Sequence, residues 1–325
     1  MQIGAEHLTK VFTDWLGRPR RTALADLTMR FADPGIYGLL GPDGSGKSTT
    51  LHLCLGLLRP TAGTVSILGG DPGDARLRAR IGFLPEHLDL PDFLTAEEAV
   101  TLGGRLYGMP RSELRKKAPE LLEWVGLKDQ RGLPVGELAR GARRRLGLAR
   151  ALVHDPDLLL LDEPVAGLDP LGHRELKERL RDLRNRGTSI LLASHMLADI
   201  EDICDQVHIL FHGKTVTKGR LRELTRVHGI HEFRTKGLST DAVDAVRSLI
   251  LEQGGRLDVD EAGRETIETF FIRLFRNPRR SSRQVTRRSE LRAFLAAVED
   301  EESRGESSEV SGEVSSEASG EGAGS

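Results

Sequence analysis

At 325 residues, 38% of them hydrophobic, the chain has the length of about two domains and ample material for a core. The net charge of −2 hides a split, because residues 299–325 hold nine acidic residues against Arg304 and residues 273–292 hold eight arginines against Glu290. Residues 1–272 are close to neutral, which argues against a protein built to lie along nucleic acid.

Cys54 and Cys204 lie in apolar helical patterns without metal-ligand spacing, and read as reduced core residues of a cytosolic protein. The N-terminus lacks the basic-then-apolar build of a signal peptide. No apolar run approaches the ~20 residues that span a bilayer, so any membrane role must come through a partner.

In chain order, Gln2–Val11 and Leu24–Phe31 read as strands joined by the loop Asp14–Arg21. Phe12, at the end of the first, is either a stacking platform for an adenine or a strand-end core aromatic. The apolar run Ile36–Leu40 reads as a buried strand. It leads into Gly41-Pro42-Asp43-Gly44-Ser45-Gly46-Lys47-Ser48, which fits the phosphate-loop pattern G-x-x-x-x-G-K-S. A helix is expected from Thr49 to Leu58, with Leu51, Leu55 and Leu58 at helical spacing. Glycines at 41, 44 and 46 allow the backbone N–H groups to converge on a phosphate beside a helix N-terminus. Lys47 suits the β- and γ-phosphates and the Ser48 hydroxyl suits Mg²⁺. The pattern implies nucleoside triphosphate binding.

Thr64–Leu68 alternates like a strand, residues 69–73 form a turn, and Ile81–Leu84 is a short strand ending at Pro85-Glu86. Residues 92–153 read as a helical subdomain. In it Thr95 and Glu98 make a capping box, Ser112 caps the next helix, Pro119 kinks or splits that helix, and Gly126 stops it. After Leu138-Ala139-Arg140-Gly141-Ala142, an amphipathic helix is expected with its N-terminus at Gly141. Four leucines, 158–161, then run into Asp162-Glu163-Pro164. Such a run suits a central parallel strand buried on both faces, and ligands in such sheets sit beyond the carboxyl ends of the strands. Two acids there are costly without a cation or proton to hold, so Asp162 suits the Mg²⁺ shell and Glu163 suits a base for water. Asp169-Pro170 caps a helix with the stripe Leu176, Leu180 and Leu183, ended by Gly187. Thr188–Ala193 is a buried strand running into Ser194-His195, where His195 favours a γ-phosphate contact, and Val207–Phe211 is a further strand.

Over residues 1–220 these ordered motifs resemble the ATP-binding subunit of an ABC transporter. The implied fold is α/β, a P-loop NTPase with a RecA-like parallel sheet core, an antiparallel β subdomain and a helical subdomain. The resemblance makes 41–48 the Walker A loop, with Thr49 beside it, and Asp162 and Glu163 the Walker B aspartate and catalytic glutamate. It makes Ala166–Asp169 the D-loop, His195 the switch histidine and Phe12 the adenine-stacking aromatic. Glu86 stands where the family has the Q-loop glutamine, still able to meet Mg²⁺ or water. Two subunits of this family close head to tail, each ATP lying between one Walker A loop and the other subunit's signature loop. That loop departs here, since Ala139 replaces the serine that would bond the γ-phosphate, while Gly141 and the helix dipole remain. One lost hydrogen bond to a charged group costs about 1.5–3 kcal/mol, so slow hydrolysis is expected rather than none.

The wording around residues 140–150 and 158–170 is most similar to the export branch with separately encoded permeases. This implies an ATPase at the inner face of the cell membrane, held there by an integral-membrane permease and paired with a second copy or a homologue. Two alternatives remain: a weakly hydrolysing regulatory subunit, or a non-transport cassette ATPase. Residues 221–276 read as a small C-terminal α/β appendage with a helix at 267–274, and residues 277–325 as an arginine-rich linker followed by an acidic disordered tail.

Overall fold

The computed structural model describes residues 2–196, 203–220, 224 and 239–252. The helix expected at 267–274, the arginine-rich run and the acidic tail lie outside the described residues. The chain divides into two compact units, the second of them Leu221–Ser282.

In the first unit, β1 (Ile3–Thr13), β2 (Pro19–Phe31) and β4 (Ala62–Ile67) form an antiparallel sheet in the order β2-β1-β4. Strands β3 (Ile36–Leu40), β5 (Ile81–Leu84), β6 (Leu158–Asp162), β7 (Ser189–Ser194), β8 (Gln206–Phe211) and β9 (Lys214–Arg220) form a second sheet, ordered β5-β6-β7-β3-β8-β9. It is parallel from β5 to β8, and β9 returns antiparallel along β8. Every residue of β3, β6 and β7 is buried, as their unbroken apolar runs require of strands covered on both faces. Helix α1 (Lys47–Cys54) contacts both sheets. One core therefore joins Leu8, Leu27 and Met29 of the antiparallel sheet to Leu51 and Leu53 of α1 and to Leu39, Leu160 and Leu191 of the parallel one.

Between β5 and β6 lie α3 (Ala96–Leu106), α4 (Arg111–Trp124) and α5 (Arg140–Leu152), after the single turn α2 (Ala75–Arg78). The capping box forms as read: Glu98 N donates to Thr95 Oγ1 at 3.2 Å and Thr95 N to Glu98 Oε2 at 2.9 Å. α6 (Pro170–Asn185) opens as expected, with Asp169 accepting from Gly172 N at 2.8 Å.

Several boundaries differ from the sequence reading. The loop between β1 and β2 is shorter, because β2 begins at Pro19 and not at Leu24. α1 ends at Cys54 because Gly56, at φ 68°, turns the chain out of the helix. Pro110 and not Ser112 occupies the N-cap of α4, and Pro119 neither ends nor splits that helix. The buried stripe Leu114, Ala118 and Leu122 holds α4 on its neighbours α3 and α5 across the missing N–H. α5 begins at Arg140 with Ala139 at its N-cap, ahead of the expected start. β9 has no counterpart in the sequence reading. It is a half-exposed edge strand whose β-branched Thr215-Val216-Thr217 follows the Gly213 turn. In the second unit the described element is α7 (Thr240–Glu252).

Pro119 therefore weakens a helix that packing sustains, as proline costs about 3 kcal/mol relative to alanine in a helix interior. Pro119→Ala should raise stability by roughly 1–3 kcal/mol. Equilibrium denaturation checks this, and an unchanged or lower midpoint would mean that the ring's own packing compensates.

Candidate functional site at the carboxyl edge of the parallel sheet

The carboxyl ends of β3, β5, β6 and β7 deliver the candidate residues to one edge. β3 runs into the glycine loop, whose folding leaves no room for other side chains. A Cβ on Gly46, at φ 108°, would lie 2.6 Å from Leu24 Cδ2 and 2.7 Å from the Ala23 carbonyl. A Cβ on Gly41 would meet the Leu210 carbonyl at 2.2 Å and Ser45 Oγ at 2.6 Å. The loop is thereby clasped between β2 and β8. Gly213 N donates to Ser45 O at 3.0 Å, and Thr50 Oγ1 donates to Gly46 O at 2.9 Å. Gly46 is the N-cap of α1, so the first free N–H groups of that helix open from the loop.

Lys47 is buried, and its Nζ donates to the Gly41 carbonyl at 2.6 Å. Glu163 Oε1 lies 3.5 Å from the same Nζ, and Asp43 Oδ1 lies 3.8 Å from it. Glu163, just past β6, takes φ 48°, a left-handed backbone that a residue with a Cβ rarely adopts. Its N–H donates to Ala193 O at 2.9 Å. His195 Nδ1 stands 2.9 Å from Glu163 Oε2, and Ser194 Oγ is 3.5 Å from that oxygen.

Asp162 is buried and its Oδ1 has no hydrogen-bond partner. Burial raises its carboxyl above the ordinary aspartate value, against a hydrogen bond from the Ser48 side chain, while the charges of Glu163 and Glu86 push it the same way as burial. An orphaned carboxylate oxygen beside a serine hydroxyl fits a divalent cation. Among the described residues no group of three or more His, Cys, Asp or Glu forms a metal cage. Mg²⁺ rarely needs one, since it takes one or two carboxylates plus phosphate oxygens and water.

The other expected residues lie around this edge. Phe12, 37% exposed, faces Arg21 across the β1–β2 pair, and Arg21 Nη2 donates to Gly44 O at 3.1 Å. Lys10 Nζ lies 5.2 Å from the centroid of the Phe12 ring. Ala139 is exposed at the start of α5. Gly141 packs on the segment after Glu163, where an added Cβ would lie 3.1 Å from the Gly167 carbonyl. Asp169 is engaged in capping α6.

Sequence reasoning passed over Arg144. Its side chain is buried and donates to five main-chain carbonyls: Pro85, Glu86 (3.0 Å), Asp162, Glu163 (2.6 Å) and Pro164 (3.3 Å). The signal lay in helical spacing, because Leu148 and Leu152 define a buried stripe that lands on Arg144 one turn earlier. A cavity at the amino ends of β6 and β7, lined by Lys117, Trp124, Asp157 and Arg186 among others, lies at the opposite end of the strands from this chemistry.

The Glu163 carboxylate raises the His195 pKa above the ordinary 6.5, against burial and the charge of Lys47. A pKa raised on folding contributes stability that is complete below the unfolded value and is lost as pH rises through the folded one. The stabilities of wild type and His195→Gln should therefore differ most below the ordinary histidine value and converge as pH rises through the raised folded one. Denaturant midpoints across pH 5–9 read this out, and parallel curves would show that the pair does not contribute.

The ABC transporter family profile matches residues 24–166. An uncharacterized ABC transporter ATP-binding protein of Nostoc sp. is 34% identical over 281 residues, 78% of this chain and 84% of that protein. Nod factor export ATP-binding protein I of Ralstonia nicotianae is 40% identical over 235 residues, 71% of each chain. Among solved structures, an ATP-binding subunit of an ABC transporter superposes with a TM-score of 0.61 at 30% identity, covering 69% of this chain and 92% of that one. The ATP-binding cassette MJ0796, a dimer in a post-hydrolysis state bound to ADP and Pi, gives a TM-score of 0.63 at 26% identity, covering 68% and 99%. A strand-end phosphate loop, a lysine held against a buried glutamate and this kinship lead to one conclusion: the chain belongs to the ATP-binding proteins of ABC transporters and is an ATPase of that family.

Proposed function

We propose that this ATPase powers an export-type transporter, working at the inner face of the cell membrane through an integral-membrane permease. ATP-driven closure would be on a second copy or a homologous subunit. The observation that carries the ATP-hydrolysing role is the buried contact of Lys47 with Glu163, with the half-exposed His195 beside it, at the end of three neighbouring strands. Export is supported by the Nod factor export relatives. A permease partner is supported by the similarity to cbiO1, which belongs to the transporter complex cbiONQ. Among the described residues no helix is long and apolar enough to cross a membrane, so such a partner would supply the spans.

In this reading the loop N–H groups from Gly41 to Thr49 receive the phosphates and Lys47 turns from the Gly41 carbonyl to the β- and γ-oxygens. Ser48, Asp162 and Glu86 would hold Mg²⁺, which when bound would neutralise charge on the phosphate oxygens. Glu163 takes the proton of a water as its oxygen attacks the γ-phosphorus. The bond to the bridging oxygen breaks and ADP leaves. His195, whose proton Glu163 favours, meets the γ-phosphate, and Phe12 supports the adenine. Ala139 and Gly141 face the partner subunit's ATP, and Asp169 closes the same seam.

Glu163→Gln keeps shape and hydrogen bonding but removes the base. It should bind ATP, lose at least 100-fold in turnover, and accumulate as an ATP-dependent dimer that retains a co-purifying membrane protein. A mutant turning over at the parental rate, or remaining monomeric with ATP, would count against the scheme.

Ala139 also favours a second reading, a regulatory subunit that binds ATP and hydrolyses little. Ala139→Ser separates the two. At this N-cap (φ −59°, ψ 156°) a serine Oγ can accept from its own helix and stabilise it by about 1 kcal/mol, while its O–H donates to a γ-phosphate across the dimer. Under the transport ATPase reading both melting temperature and turnover rise, turnover by a few-fold to about 100-fold. A higher melting temperature with flat turnover favours the regulatory subunit.

A further inference from the structure

We infer that Arg144 is a positioning residue for ATP hydrolysis: its buried guanidinium locks the main chain that carries Glu163 and Glu86 to helix α5. The inference rests on the reading of Glu163 as the base.

The five carbonyls it serves lie at or just past the ends of β5 and β6. There the sheet ladder no longer supplies donors, and buried carbonyls still need them. Nη1 reaches the loop after β5 through Pro85 and Glu86. Nη2 and Nε reach the loop after β6 through Asp162, Glu163 and Pro164. Only arginine offers five donors in a fixed planar fork, whereas lysine offers a point charge and glutamine two donors.

Packing alone does not explain a guanidinium here. The Arg144 side chain is buried, arginine keeps its charge in proteins, and a buried cation costs more than an apolar side chain of like volume. What it uniquely supplies is geometry. The Glu163 carbonyl, next to the left-handed φ of 48°, accepts from Arg144 Nη2 at 2.6 Å and from Ala166 N at 3.2 Å. If the peptide relaxes, the Glu163 carboxylate leaves its place between Lys47 and His195. Arg144 donates to main-chain carbonyls and so acts through Glu163.

Arg144→Gln should lower kcat roughly 30–100-fold, since a misplacement of about 1 Å costs that much. Its ATP affinity should stay within about threefold, and its ATP-dependent dimer should still form. Arg144→Lys, which keeps the charge and loses the fork, should retain about a tenth of wild-type kcat with affinity unchanged. A merely structural role predicts a different pattern, with kcat, ATP affinity and melting temperature falling together, and that result would overturn the inference. So would wild-type kcat in either folded variant. Should Arg144→Gln not fold, the kcat-against-affinity split in Arg144→Lys decides. Glu163→Gln is run beside them. If it keeps full turnover the base assignment fails, whereas an inactive Glu163→Gln with an active Arg144→Gln removes only the positioning role.

Discussion

The structure depends on how charge is balanced at the end of a dry parallel sheet. Asp162 and Glu163 follow four leucines that are fully buried, so neither acid can be solvated from below. Lys47 comes to them from α1, Arg144 from α5 and His195 from the end of β7. At an effective dielectric of 20 and about 4 Å, one such attraction is worth about 4 kcal/mol, comparable with the several kcal/mol lost in desolvating each ion. The pairs therefore contribute little net stability. The fold holds them together through the leucine core, and what they gain is a preset geometry.

This explains which parts were legible in the sequence. Unbroken apolar runs ending in polar residues mark central strands and the edge where they stop, so β3, β6 and β7 and their terminal residues could be read directly. Two caps were equally plain: Thr95 with Glu98 and Asp169 with Pro170 satisfy backbone donors by local spacing alone, whereas the expected cap Ser112 gives way to Pro110. What was missed depends on non-local packing. Three consecutive arginines, 143–145, look like a solvated face, yet at 100° per residue they diverge, and only Arg144 points to the sheet edge. Pro119 sits in a helix because α3 and α5 hold its buried stripe. β9 pairs with β8 across a tight turn on its half-exposed sheet edge, where alternation is weak.

The glycine loop shows how two sheets make one site. Gly46 is pressed by Ala23 and Leu24 of β2, and Gly41 by Leu210 of β8. The two sheets together are thus the mould that fixes the loop's backbone, which in the proposed reading receives a phosphate. Arg21, on β2, fixes the Gly44 carbonyl. Since the expected adenine platform Phe12 lies across from Arg21, base and phosphate recognition would share one β-hairpin.

Helix α5 gives the signature substitution its physical meaning. Its cap residue, Ala139, and its clamp, Arg144, are five residues apart in the sequence, about 7.5 Å along one rigid helix axis. The cap end is exposed where a second subunit would approach, and the clamp grips the carbonyls of Asp162 and Glu163. Losing the serine hydroxyl weakens the outer end alone and leaves the inner clamp whole. In the proposed dimer, a chain altered in this way would keep its carboxylates poised and lose a contact to its partner's nucleotide. That favours an enzyme limited in closing its dimer over one impaired in its own active site.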